Sequence, residues 1–95
     1  MNQSNNMIRK RVVFYGWVQG VGFRYLARQA ALKYGVSGWV RNEYDGSVSM
    51  EIQGLPLQIE QTLATINNGR YIRIERMDSR MIPVNENERS FTVRY

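Results

Sequence analysis

The chain has 95 residues, a formal net charge of +5, 43% hydrophobic residues and no cysteine. A sequence of this length and composition predicts one globular domain with a single core. The lack of cysteine excludes a disulfide framework and thiol chemistry, and no stretch of the sequence is long and apolar enough to cross a membrane.

The opening segment, Met1 to Asn6, contains no apolar side chain after Met1. We expect residues 1–6 to form a disordered tail and residues 7–95 to form the single domain. This segment also lacks the apolar core of a signal peptide. Together with the absence of cysteine, these features favour a cytoplasmic location.

The first two predicted elements flank a glycine-rich loop. Alternating apolar residues predict a strand over residues 8–15, and an apolar stripe at helical spacing predicts a helix over residues 23–34. Gly35 follows this helix in a position where helices commonly end. The sequence therefore places residues 16–22 between a strand and the start of a helix.

The later part of the chain predicts four more strands and one more helix. In chain order they are strands over residues 37–43 and 47–54 joined by a turn, a helix from Pro56 to about Asn67, and strands over residues 71–81 and 91–95. This order, βαββαβ plus a C-terminal strand, predicts an α+β ferredoxin-like split-βαβ fold. We expect an antiparallel-rich sheet with two helices on one face. The sequence leaves the neighbour of the last strand open.

The glycine-rich loop carries the strongest chemical signal in the chain. Its glycines let the backbone approach a ligand without a Cβ in the way. The first N–H groups of the following helix have no intrahelical acceptor, which favours an anion. Arg24 lies in the first helical turn, and its guanidinium would lean back over the same place. These features predict a phosphate site formed by Trp17, Val18, Gln19, Gly20, Val21, Gly22, Phe23 and Arg24.

Two common phosphate loops do not fit this sequence. The Walker type needs a lysine after its last glycine, and the dinucleotide fingerprint needs a third small residue where Tyr25 stands. A plain turn with a surface arginine stays open as the alternative on these residues alone. Gln19 either points outward or braces the loop, and we assign it no catalytic role.

Asn42 lies near the end of the second predicted strand. In a split βαβ unit the first two strands run parallel with the third between them. Asn42 should therefore lie at the same end of the sheet as the loop that follows residue 15. On position alone, Asn42 either forms a turn or holds a water that faces a phosphoryl group.

The chain resembles the acylphosphatase family in three strings, namely Gly-Trp-Val-Gln-Gly-Val-Gly-Phe-Arg at 16–24, Gly-Trp-Val-Arg-Asn at 38–42 and Asp-Gly at 45–46. The resemblance is specific over residues 12–54. It implies that Arg24 and Asn42 are catalytic, with Arg24 holding the phosphate and Asn42 orienting the attacking water. It also implies hydrolysis of acyl phosphates to a carboxylate and inorganic phosphate. Trp17 departs from the family, which usually has a basic residue here.

The residue types that are absent reduce the number of reactions that the chain could catalyse. The chain has neither His nor Cys, so the commonest general base and the thiolate nucleophile are missing. No cluster of carboxylates suggests a metal site, and we expect no metal and no cofactor. The carboxylate released by an acyl phosphate has a pKa of about 4 and departs without an acid. We expect an acyl phosphate as the small-molecule substrate and inorganic phosphate as product and competitive inhibitor.

The basic residues leave two other functions open. Clusters at 9–11 and along 70–80 are either solvated strand faces or a field that attracts anions. One alternative is a non-catalytic nucleic-acid-binding module, which we disfavour because the predicted strand over 47–54 lacks an aromatic platform. The other is an acyl-phosphate-binding regulatory module, similar to the domain at the start of large hydrogenase-maturation carbamoyltransferases. Those proteins continue into zinc-binding cysteine motifs, which this sequence lacks.

Overall fold

A computed structural model describes residues 6–95 of the chain. In chain order its elements are β1 (Ile8–Trp17), α1 (Phe23–Tyr34), β2 (Ser37–Asn42), β3 (Val48–Gly54), α2 (Pro56–Asn67), β4 (Arg73–Ile82) and β5 (Phe91–Arg94). This order confirms the predicted βαββαβ arrangement with an extra final strand. Of the predicted disordered tail, all but Asn6 lies outside the described residues.

The strand boundaries differ from the predicted ones at the start of the glycine-rich loop. β1 extends two residues beyond the predicted end at Tyr15, because Gly16 and Trp17 still pair with Ile74 and Arg73 of β4 across a bulge. The loop between β1 and α1 is therefore shorter than the sequence predicts and comprises residues 18–22. Trp17 belongs to the strand.

The five strands form one sheet in the order β4-β1-β3-β2-β5. β3 lies between β1 and β2 and runs antiparallel to both, so β1 and β2 are parallel, as predicted. The neighbour of the last strand, which the sequence left open, is β2, and β5 runs parallel to it at the sheet edge. The C-terminal ends of β1, β2 and β5 therefore meet at one end of the sheet.

One face of the sheet packs against both helices. Phe14 of β1 contacts Phe23 at the start of α1, with ring centroids 4.9 Å apart in an edge-to-face arrangement. Burying an aromatic side chain of this size stabilises the fold by about 1.5–3 kcal/mol, and the contact fixes the first turn of α1 on the sheet. The fully buried side chains of this core include Val12, Val40, Val48, Met50, Ile52, Ala27, Ala31, Ile59 and Ile66.

The helix-free face of the sheet holds a buried ion-pair cluster. Arg9 is only 3% exposed and forms ion pairs with Glu51 at 2.9 Å and with Glu88 at 2.7 Å. Burial raises the pKa of Glu51, but the hydrogen bonds and charges of Arg9 and Arg11 outweigh it and leave that pKa below its ordinary value. Glu51 therefore stabilises the fold above its ordinary pKa, and this contribution is lost as the pH falls through the lowered value. The cluster also fastens the β4–β5 connection, which carries Glu88, to the sheet.

Candidate active site

A groove of about 1120 Å³ is bordered by α1 and β5 and reaches the end of the sheet where β1 and β2 terminate. Residues from three separate parts of the chain line it at this end: the loop after β1, the first turn of α1, and the last residue of β2. They are Val18, Gly20, Gly22, Phe23, Arg24 and Asn42. The topology thus brings Arg24 and Asn42 to one cavity, as the parallel arrangement of β1 and β2 predicts.

The loop has a backbone that favours glycine. Gly20 and Gly22 have φ angles of +73° and +80°, in the left-handed region where other side chains are strained. Gly22 is the N-cap residue of α1 and has no side chain to cap the first turn. The N–H groups of that turn are therefore available to a ligand in the groove, and the helix dipole makes this position favourable for an anion.

A side-chain bridge fastens the loop to the hairpin that follows Asn42. The Nε2 of Gln19 donates hydrogen bonds to the carbonyl oxygens of Glu43 and Ser47, both at 2.8 Å. The turn itself is made without Asn42, because the Asp45 carboxylate accepts hydrogen bonds from the backbone N–H and hydroxyl of Ser47. Gln19 therefore braces the loop, which was one of the two possibilities left open by the sequence.

Glu43 is the first residue after β2, and its carboxylate is held by other side chains and does not act as a general acid or base. It accepts hydrogen bonds from the Ser49 hydroxyl and from Arg41. The Ser49 hydrogen bond, assisted by Arg41, holds the pKa of Glu43 below its ordinary value. This carboxylate is thus ionised at neutral pH and serves to hold the end of β2 in place.

Asn42 and Arg24 both line the groove, and their side chains form no hydrogen bond or ion pair with the described residues. Within residues 6–95, the Asn42 side chain makes no hydrogen bond, and no carboxylate pairs with Arg24. The Arg24 guanidinium carbon lies 4.9 Å from the centre of the Tyr95 ring, a cation–π contact. Tyr95 therefore contacts the guanidinium without accepting a hydrogen bond from its N–H groups.

The amino-acid sequence matches the acylphosphatase family over residues 10–93. The chain belongs to the acylphosphatase family. An acylphosphatase from Bifidobacterium longum is 41% identical over 96 residues, and the match covers 99% of each chain. The structure of an acylphosphatase from Coxiella burnetii superposes with a TM-score of 0.88 at 28% identity, covering 99% of this chain and 100% of that one.

The same fold also matches a small part of a larger protein. Full-length HypF, in a phosphate- and nucleotide-bound form, superposes on this acylphosphatase with a TM-score of 0.84 at 25% identity. The match covers 94% of this chain but only 12% of HypF.

Three residues of the predicted phosphate site in this acylphosphatase do not line the groove. Trp17 is 69% exposed on β1, Gln19 is held by the hairpin carbonyls, and Val21 packs against the core. No signal in the sequence indicated that Tyr95 would contact the predicted phosphate site. Its contact with Arg24 follows from the pairing of β5 with β2, and no local pattern near residue 95 reveals that pairing.

The part of the chain that the structure describes contains neither a cluster of metal-ligating side chains nor a membrane-spanning helix. No three His, Cys, Asp or Glu side chains within residues 6–95 are grouped so that they could hold a metal ion. No helix within the same residues has the length and apolar character needed to span a membrane.

Replacing Gln19 with alanine should loosen the loop relative to Asn42. The Glu43 and Ser47 carbonyls would keep their backbone donors, the N–H groups of Gly46 and Glu43, but each would lose its hydrogen bond from Gln19. At about 0.5–1.5 kcal/mol per hydrogen bond, this should lower the free energy of unfolding by about 1–3 kcal/mol. A displacement of about 1 Å between reacting groups can cost about a hundredfold in rate, and we expect kcat/KM for an acyl phosphate to fall at least tenfold. Urea unfolding and steady-state kinetics measure the two effects. Gln29→Ala, at an exposed position of α1, is the matched control, and equal kinetics in both variants would contradict the bracing role.

Proposed function

We propose that this acylphosphatase hydrolyses the carboxyl–phosphate bond of acyl phosphates in the groove lined by Arg24 and Asn42. The observation that carries the proposal is the convergence of an uncapped helix start, an arginine without a carboxylate partner and an unbonded amide on one cavity. Each of these groups is available to a ligand because it forms no side-chain hydrogen bond or ion pair with the described residues. Together they offer donors for a phosphoryl group and a polar side chain beside it.

The phosphoryl group is held by charge and by directed donors. The N–H groups of the first turn of α1 surround its oxygens, and the guanidinium of Arg24 donates from its fork. The Tyr95 ring contacts the same guanidinium. The same contacts stabilise the charge on the equatorial oxygens as the reaction proceeds, so binding and transition-state stabilisation come from one set of donors.

The Asn42 amide positions the attacking water. The water oxygen forms a bond to phosphorus while the bond from phosphorus to the carboxyl oxygen breaks, and the carboxylate leaves with the electron pair. Because that carboxylate has a pKa of about 4, it needs no proton from an acid. The water proton passes to a phosphate oxygen of the substrate or to solvent. Catalysis then consists of positioning and charge stabilisation.

We propose that inorganic phosphate binds the same donors as product and competitive inhibitor, and that nucleic acid is not a partner. Trp39, on the helix-free face, is only 6% exposed. The guanidinium groups of Arg11, Arg41 and Arg94 cover it, with their carbons 5.4, 5.2 and 4.6 Å from the ring centre. This aromatic side chain is therefore not free to stack on a base, which is how sheets of this type bind RNA.

Benzoyl phosphate tests the proposed function directly. We expect release of benzoate and phosphate at equal rates in EDTA and in Mg²⁺, with competitive inhibition by inorganic phosphate. The reason is that neither departure of the carboxylate nor binding at the helix start requires a cation. Phosphate binding without turnover would instead identify a regulatory module. Loss of activity in EDTA with recovery in Mg²⁺ would contradict the mechanism.

A further inference from the structure

Arg28 is a charged residue of the groove that the proposed reaction does not use. It lies on α1 four residues after Arg24 and lines the same groove. It is exposed and makes no ion pair, hydrogen bond or ring contact within the part of the chain that the structure describes. Four residues of helix correspond to a rise of about 6 Å. Helical side chains lean toward the N-terminus, so Arg28 is directed toward Arg24.

The electrostatics of the groove favour a second anion beyond the phosphoryl group. α1 contains no Asp or Glu, so nothing on the helix offsets the repulsion between Arg24 and Arg28. Among the side chains of the described residues that line the groove, that of Glu88 is the sole carboxylate. Arg9 already pairs with both of its oxygens, at 2.7 and 3.1 Å. Arg24 and Arg28 therefore give the groove along α1 a positive charge that no carboxylate side chain of the described residues pairs with.

We propose that Arg28 binds a second anionic group on the acyl portion of the substrate. The preferred substrates are then acyl phosphates that carry a carboxylate or phosphate about 6 Å from the reacting phosphorus, the rise between Arg24 and Arg28. This inference rests on the proposed function, which places the phosphoryl group at Arg24. Val93 of β5 lines the same groove and offers an apolar surface to the carbon chain between the two anions.

The kinetic test compares benzoyl phosphate with 3-carboxybenzoyl phosphate, which adds a carboxylate on a rigid ring that cannot attack the phosphate. In Arg28→Gln we expect the ratio of kcat/KM for the carboxylated over the plain substrate to fall about fivefold relative to wild type, as for one exposed ion pair. Arg80→Gln is the control. Arg80 is exposed on β4, at the opposite sheet edge from β5, and its loss changes net charge equally.

The control separates a local contact from the overall field. A wild-type ratio in Arg80→Gln together with a reduced ratio in Arg28→Gln supports the proposal. An unchanged ratio in Arg28→Gln overturns it. An equal reduction in both variants overturns it as well, because the preference would then come from net charge.

A binding test distinguishes failure of this inference from failure of the proposed function. The probes are 5-phosphonopentanoate and pentylphosphonate, which differ only in a distal carboxylate, and a 1,5-bisphosphonate of the same chain tests a distal phosphate. We expect a doubly anionic probe to raise the Tm of wild type more than pentylphosphonate does, and Arg28→Gln to lose this difference. If Arg28→Gln loses this difference in Tm but wild type hydrolyses no acyl phosphate, only the proposed function is refuted. Equal shifts for all probes in wild type would overturn the role of Arg28, whether or not the chain hydrolyses acyl phosphates.

Discussion

Arg24→Ala is expected to reduce kcat/KM for benzoyl phosphate at least about a thousandfold. Removing one well-aimed donor to a developing oxyanion costs about 3–4 kcal/mol, and Arg24 supplies a full charge in addition to its donors. Arg24→Lys should fail nearly as badly, because an ammonium cannot donate from two parallel N–H groups or stack on Tyr95 as a planar guanidinium does. Steady-state kinetics on both variants measure this effect.

Phosphate binding tests the role of Arg24 without depending on turnover. Inorganic phosphate should raise the Tm of wild type by mass action, and Arg24→Ala should lose most of this shift. Arg80→Gln serves here as the charge-matched control, since Arg80 lies on β4 away from the groove. A full phosphate shift in Arg24→Ala would place the anion elsewhere, and near-normal activity of Arg24→Lys would rule out the bidentate geometry.

Local signals in the sequence were sufficient to predict α1 and its position relative to the loop. The apolar stripe predicts the bounds Phe23–Tyr34 that the structure shows, and Gly35 ends the helix with a φ angle of +75° and an N–H bond to the carbonyl of Ala31. Because α1 begins directly after Gly22, the place of Arg24 beside the loop follows from the same signals. The two parallel strands then bring Asn42 to this end of the sheet.

Contacts between distant parts of the chain were not predictable in the same way. β5 has only four residues, and its pairing with β2 depends on which sheet edge is open once the other strands have assembled. Tyr95 reaches Arg24 only through that pairing. Arg9 appears in the sequence as one of three adjacent basic residues, but its burial depends on Glu88, which is 79 positions away along the chain. Periodicity contains no information about such pairs.

Asn42→Ala should lower kcat without weakening phosphate binding. If Asn42 orients the water and does not hold the phosphate, its contribution is made only in the transition state, so kcat falls while the inhibition constant of inorganic phosphate stays nearly constant. We expect a decrease in kcat of at least about a hundredfold, the low end for one well-placed donor. Asn67→Ala, at an exposed position of α2 outside the groove, is the matched control.

Asn42→Asp is the more demanding test of this role. A carboxylate has nearly the same shape and accepts a hydrogen bond from water, but it cannot donate one and it repels the phosphoryl charge. We expect Asn42→Asp to be as slow as Asn42→Ala and to bind phosphate more weakly than wild type. If Asn42→Ala weakened phosphate inhibition as much as it slows turnover, Asn42 would be a ligand of the phosphate. The water would then have to be positioned by another group, and within the groove the N–H donors at the start of α1 are the next candidates, because Gly22 leaves them uncapped.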